Sequence, residues 1–202
     1  MYNFTTNWFN NTAKTNWDHL IPEIRPKKIL EVGSFEGMSA CYLIEKLSGF
    51  QDIEIYCIDT WEGSMEHIRD NLDMTDAEQN FDHNIEYAIS KSIHRPLIHK
   101  WKERSESGLM KLFLEGKQNY FDFIYIDGSH ATVDVISDAV LAFKLLKVNG
   151  VIAFDDYGWA AGEKNLDYFP KIAIDAFTTI YGNKVQMVGT LITQVWVVKT
   201  AN

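Results

Sequence analysis

The sequence predicts an α/β fold: a mostly parallel, seven-stranded sheet covered by helices on both faces, with its last strand reversed. Three observations lead there. Five apolar, strand-like runs alternate with segments of helical periodicity. Those runs are almost continuously apolar, which requires burial on both faces and favours parallel pairing. The chain then closes with two strand-like runs whose short connection suits only an antiparallel pair.

The elements follow in order. Residues 28–34 (KILEVGS) form the first strand and end at a glycine; Ala40, Leu43, Ile44 and Leu47 then share one helical face. IEIYCID (53–59) is the second strand and PLIHKW (96–101) a weaker third. SESGLMKLFLEG suits a short helix closed by Gly116. YFDFIYID (120–127) is the fourth strand. A helix bearing Ile136, Ala139, Val140 and Phe143 follows, with its stop signal at Asn149-Gly150. GVIAFD (150–155) is the fifth strand, Ala173, Ala176, Phe177 and Ile180 mark the last helix, and KVQMVGTL and TQVWVVKT close the sheet.

No internal repeat or linker divides the 202 residues, which suit one domain. Two stretches stand apart. Residues 1–27 begin with an aromatic and asparagine-rich cap (Phe4, Trp8, Phe9, Trp17). Residues 62–95 are longer than one β-α connection needs, and read equally as a lid or as a surface helix with turns.

Apolar residues make up 46% of the chain, enough for a full core, while a net charge of -9 repels phosphate backbones and argues against nucleic acid as a partner. Cys41 and Cys57 lie in apolar segments and read as buried thiols. No stretch resembles a signal peptide or a membrane span, so the expectation is a soluble, cytoplasmic protein; nothing in the sequence excludes a homo-oligomer.

EVGSFEG (31–37) sits where the first strand gives way to the first helix. Gly33 allows a sharp turn and close approach to a ligand, and Gly37 allows tight packing at the helix start. The spacing departs from GxGxxG, with Phe35 where a dinucleotide pyrophosphate would need room. Asp59, at the end of the second strand, is placed to accept hydrogen bonds from a ribose; it serves equally as a cap of the next turn.

EVGSFEGMSA, CIDTW, IDGSH and GVIAFDDY, in this order, resemble class I S-adenosylmethionine-dependent methyltransferases. They are most similar to the metal-assisted O-methyltransferases of catechols and sugars. The resemblance spans residues 28–199 and implies a Rossmann-like three-layer sandwich with S-adenosylmethionine as cofactor. It further implies that Glu31, Gly33, Ser34 and Gly37 hold the methionine part, that Asp59 binds ribose, and that Trp61 and Ser105 lie toward the adenine. Asp127 would border the cofactor.

Strands four and five end in Asp127 and in Asp155-Asp156. Ligands of open parallel sheets bind beyond the carboxyl ends of the strands, so these acids converge there. Three close carboxylates repel one another unless a cation neutralises them, and oxygen ligands suit Mg²⁺ or another divalent ion. The alternative is that the pair merely opens a loop. The resemblance favours the metal, although catechol enzymes end the pair in Asn where this chain has Asp156. His130 stands where those enzymes place a lysine base, and can act as general base or cap the next helix. The doubled acid, His130 and Trp159, which either stacks on a sugar or packs, favour a sugar or glycan hydroxyl as acceptor over a catechol. Competing readings are a nicotinamide dehydrogenase, which would want GxGxxG, an amino-group methyltransferase, which would want N/D-P-P-Y after strand four, and a cofactor-binding scaffold without catalysis.

Overall fold

The computed structural model describes residues 1–64, 67–68, 71–159, 165–191 and 193–202. Its seven strands are β1 (Lys28–Val32), β2 (Glu54–Asp59), β3 (Leu97–Lys102), β4 (Phe121–Ile126), β5 (Leu146–Phe154), β6 (Val185–Leu191) and β7 (Gln194–Lys199). They lie in the order β3-β2-β1-β4-β5-β7-β6. β1 to β5 pair in parallel, whereas β7 is antiparallel to both β5 and β6. The mostly parallel α/β sheet with a reversed final strand is therefore the observed architecture. The chain leaves β1 toward β2 on one side and returns with β4 on the other, so the topological switch point lies between β1 and β4. Open sheets bind ligands at that crevice.

Seven described α-helices flank the sheet: α1 (Trp8–Thr12), α2 (Lys14–Ile24), α3 (Met38–Leu47), α4 (Ala77–Ser90), α5 (Ser105–Leu114), α6 (Thr132–Leu145) and α7 (Pro170–Ile180). Alternation along the strands divides the core in two. Phe123 and Tyr125 of β4 point into a layer with Trp17, Leu43, Phe81 and Trp196. Ile124 and Ile126 point the other way, against Leu109, Ala139, Phe143 and Phe177. Among the described residues no helix is long and apolar enough to cross a membrane.

Three places differ from the sequence expectation. The first twenty residues are more than a cap. Trp17 is fully buried, with the rings of Phe9, Tyr42, Phe123, Tyr125 and Trp196 around it at centroid distances of 4.8–6.1 Å. Phe9, Ala13, Trp17 and Ile21 recur every four residues, the spacing of one helical stripe, and they face the sheet. In residues 62–95, α4 contributes Phe81, Ile85 and Ala88 to the same core; residues 65–66 and 69–70 of that stretch lie outside the described set. Finally, α6 stops at Leu145 and β5 begins at once, so Asn149-Gly150 falls inside the strand. Phe121 pairs with Leu146 and Phe123 with Val151, and the surplus residues bulge at Asn149, whose φ is +69°.

Candidate functional site

The turn after β1 packs on the turn after β4 at the switch point. Gly33 has a φ of +83°, and a Cβ there would lie 2.0 Å from the Asp127 carbonyl oxygen. Glycine is thus required by the neighbouring backbone, whatever else the turn approaches. Gly37, φ +79°, caps α3, and its missing Cβ would come within 2.9 Å of the Phe81 ring. Beneath this turn, Glu31 is fully buried. It accepts hydrogen bonds from Ser34 Oγ at 2.6 Å and from the Ser39 hydroxyl, and burial pushes its pKa up to about 7.

Asp59 organises the turn from the side. Its Oδ2 accepts the Ser34 and Phe35 amides at 2.8 and 2.7 Å, and its Oδ1 accepts the Trp61 amide at 2.7 Å. A carboxylate oxygen has about two acceptor sites, so Oδ1 keeps one for a ligand hydroxyl. Trp61 does not line the cleft: its indole is buried against Phe81 and donates to the Phe35 carbonyl at 2.7 Å. Asp59 and Ser105 do line a cleft of about 500 Å³ together with Gly33, Arg104 and Asp127. Behind Ser105 lies Asp138 of α6, a buried acid whose pKa burial pushes up to about 7.

On the other side of the same turns lies a second cavity, of about 290 Å³. It is walled by Trp8, Phe9, Phe35, Met38 and Trp159 and floored by Asp127, His130, Asp155 and Asp156. Phe35, at φ +44°, stacks on Trp8 at 5.8 Å and borders both cavities, as do Gly33, His67, Asp127 and Gly128. The phenyl group that departs from GxGxxG is therefore a partition between two cavities.

The floor is only partly as expected. Asp127 Oδ2 lies 2.8 Å from the Tyr125 hydroxyl, whose single proton is shared between Asp127 and Asp155. Burial, with the Asp155 and Asp156 charges added, holds the Asp127 carboxyl well above the usual range. Asp155 faces inward. Its Oδ2 receives Tyr125 Oη and, at 3.0 Å, Gln194 Nε2, and its Oδ1 receives the Asp156 amide at 2.8 Å. Burial and the neighbouring Asp156 raise its pKa to about 6. Asp156, at φ +55°, turns the opposite way and places Oδ2 2.8 Å from His130 Nε2. Among the described residues, the group with donor atoms within 4.8 Å of one another is accordingly Asp127, His130 and Asp156 rather than the three aspartates. Two carboxylates and an imidazole form a donor set that fits a divalent cation, whose charge would also reverse the upward shift of Asp127. Sequence reasoning missed Tyr125, although its place two residues before Asp127 on one strand puts both on one face. It also missed Gln194 and Asn16 (3.1 Å from Gln194 Oε1), for which no local signal exists, whereas Trp8 belongs to the aromatic N-terminal stretch that the sequence set apart.

A family model described as a methyltransferase domain matches residues 30–157, more than half of the chain. The chain belongs to this methyltransferase family. It is 28% identical over 140 residues to a probable caffeoyl-CoA O-methyltransferase of Dictyostelium discoideum, covering 68% of this chain and 46% of that protein. A protein of Acanthamoeba polyphaga mimivirus is 27% identical over 130 residues, or 63% of this chain and 50% of the other. The chain thus spans about half the length of these relatives. Among solved structures, the O-methyltransferase TomG of Streptomyces achromogenes, in complex with SAM, superposes with a TM-score of 0.62 at 17% identity, covering 90% of this chain and 77% of that one. An O-methyltransferase of Bacillus cereus, in complex with SAH, gives 0.60 at 19% identity, covering 89% and 77%. At such identity these two share the methyltransferase fold.

Proposed function

We propose that this methyltransferase transfers the methyl group of S-adenosylmethionine to a hydroxyl of a small acceptor, a sugar or glycan unit, at a site that also holds a divalent cation. The observation that carries this is the junction of two cavities over Asp127, one polar and bordered by Asp59 and Ser105, the other aromatic with acids and an imidazole on its floor. The cofactor fits the first cavity in chemistry: Asp59 Oδ1 retains an acceptor site for a ribose hydroxyl, and cavities of this size suit cofactors. Asp127 and Asp156, with His130 beside them, would hold the cation. When bound, the cofactor supplies an electrophilic methyl group and the cation supplies Lewis acidity.

The chain's own residues do the rest. Trp8, Phe35 and Trp159 orient the acceptor and exclude water, which turns an encounter of two ligands into a positioned pair. The Asp127–His130–Asp156 cluster binds the hydroxyl group, and a carboxylate oxygen of Asp127, which borders both cavities, takes up its proton. Tyr125 pins Asp127 in place from below. A sugar ring can lay its C–H face on Trp8 or Trp159. The apolar wall of Phe9, Phe35 and Met38 favours a second reading, a catechol-like aryl alcohol. Incubation with methyl-labelled S-adenosylmethionine and panels of sugars and catechols, with and without chelator, separates these. Label transferred to a hydroxyl supports the proposal and identifies the class, while cofactor binding with no transfer to any acceptor would favour a non-catalytic binding protein.

A further inference from the structure

The floor of the aromatic cavity presents a different donor set from the three carboxylates that the sequence pattern implies. Resting on the O-methyltransferase reading, we infer that His130 is a ligand to the divalent cation rather than the general base, and that Asp127, His130 and Asp156 favour a transition ion such as Mn²⁺ or Co²⁺ over Mg²⁺.

Three features of the geometry carry this. The first is that Asp155 is already committed. Tyr125 and Gln194 donate to one of its oxygens and the Asp156 amide to the other, and only 8% of the residue is exposed. Gln194 is itself held, through Oε1, by Asn16 of α2 and by the Trp196 indole at 3.0 Å, so this inward network continues into the core. Recruiting Asp155 Oδ2 to a cation would break two buried hydrogen bonds, each a group left unpaired, while Oδ1 is turned to the Asp156 amide. The second is that the backbone separates the adjacent aspartates. Asp156 takes a left-handed φ of +55°, a conformation that non-glycine residues rarely adopt. The result is that its carboxylate leaves the Tyr125 network and meets His130. The third is the imidazole itself. The β4–α6 turn brings His130 back over Asp127, and the ring lies against the Trp159 indole, with centroids 4.6 Å apart. Its Nε2 is then 2.8 Å from Asp156 Oδ2. This is an ion pair with a shared proton; two donors about 2.1 Å from a common ion and at right angles are about 3 Å apart, so a cation that displaced the proton would keep the spacing of the pair. All three donor atoms lie within 4.8 Å, which a small inward movement would close.

Chemistry then sets the preference. Mg²⁺ takes oxygen donors and keeps its water, whereas a nitrogen donor raises affinity along the series from Mn²⁺ through Co²⁺. A nitrogen lone pair given to the cation is no longer open to the acceptor's proton, so the imidazole cannot serve as both ligand and base through Nε2.

Pulsed electron paramagnetic resonance of the full chain with Mn²⁺ tests this, because nitrogen coupled to the metal reports imidazole ligation independently of turnover. The wild type should bind one Mn²⁺ with ¹⁴N coupling and at least about tenfold more tightly than Mg²⁺ in competition. His130→Ala should lose the coupling and bind Mn²⁺ roughly 10- to 100-fold more weakly, yet keep its affinity for S-adenosylhomocysteine within about threefold. Asp155→Asn should retain the coupling. Mn²⁺ bound without ¹⁴N coupling in the wild type, coupling that survives in His130→Ala, Mg²⁺ bound as tightly as Mn²⁺, or no Mn²⁺ bound would each overturn the inference, and the wild-type spectrum alone decides it should a variant misfold. S-adenosylhomocysteine binding separates the two levels. If it binds while the nitrogen signal is absent, only the ligand assignment fails; if it does not bind at all, the methyl-transfer reading fails with it.

Discussion

Gly33→Ala is the perturbation most tightly constrained by the geometry. At φ +83° an L-residue incurs about 1–2 kcal/mol of backbone strain. The added methyl would sit 2.0 Å from the Asp127 carbonyl oxygen, 2.5 Å from its carbon and 2.7 Å from the Gly128 Cα. None of these is the flexible end of a side chain. They are backbone atoms fixed by the Asp127 amide to Val32 carbonyl hydrogen bond at 2.9 Å and the Gly33 amide to Ile58 carbonyl bond at 2.9 Å. Overpacking against an unyielding wall costs about another 1–3 kcal/mol, giving about 2–5 kcal/mol in all. Urea unfolding should show that loss as a lower midpoint at unchanged slope. Because Gly33 and Asp127 border both cavities, S-adenosylhomocysteine binding should weaken in parallel. An alanine variant as stable as the parent, with the same affinity, would refute the claim that these turns pack backbone to backbone.

Asp59→Asn should weaken cofactor binding and loosen the turn together. An amide can present only one acceptor oxygen, so at least one of the Ser34, Phe35 and Trp61 amides loses its partner, at about 1–3 kcal/mol, measurable by calorimetry and denaturation. Trp17→Ala should destabilise by about 3–5 kcal/mol, because a fully buried indole inside a ring of aromatics leaves a cavity; deletion of residues 1–20 should therefore unfold the protein, and Trp8→Ala is the variant that probes the acceptor side, with a raised acceptor KM and unchanged cofactor affinity. Asp138 has a folded pKa of about 7, above its unfolded value, so the folded state binds the extra proton and stability falls as pH rises from about 4 to 7. Asp138→Asn should remove that slope and gain up to about 4 kcal/mol relative to the parent at pH 8 over pH 4; parallel stability curves would contradict the assignment.

Much of the fold was legible because parallel strands buried on both faces leave a strong apolar signature, and the five parallel strands and the closing pair all exist in the expected order, with β5 starting four residues earlier than its run. Asn149-Gly150 misled because the same dipeptide that ends helices also serves a bulge. Trp17 was assigned to a cap because its helix packs on strands more than a hundred residues away, which no local pattern reports. At the site, the convergence of Asp127, Asp155 and Asp156 at one sheet edge could be read from strand ends and topology. Which way each carboxylate turns could not, since it depends on the φ of Asp156 and on Tyr125, Gln194 and Asn16 arriving from three other elements. Likewise Trp61, adjacent to Asp59 in sequence, swings beneath the turn to reach the Phe35 carbonyl.

Isothermal titration of the protein with S-adenosylhomocysteine and, separately, with NAD tests the central claim most directly. The cleft beside Asp59, partitioned by Phe35, should take up one S-adenosylhomocysteine per chain and leave NAD unbound, since the phenyl group stands where a pyrophosphate would need open backbone. Saturable NAD binding with no heat from S-adenosylhomocysteine would contradict the account.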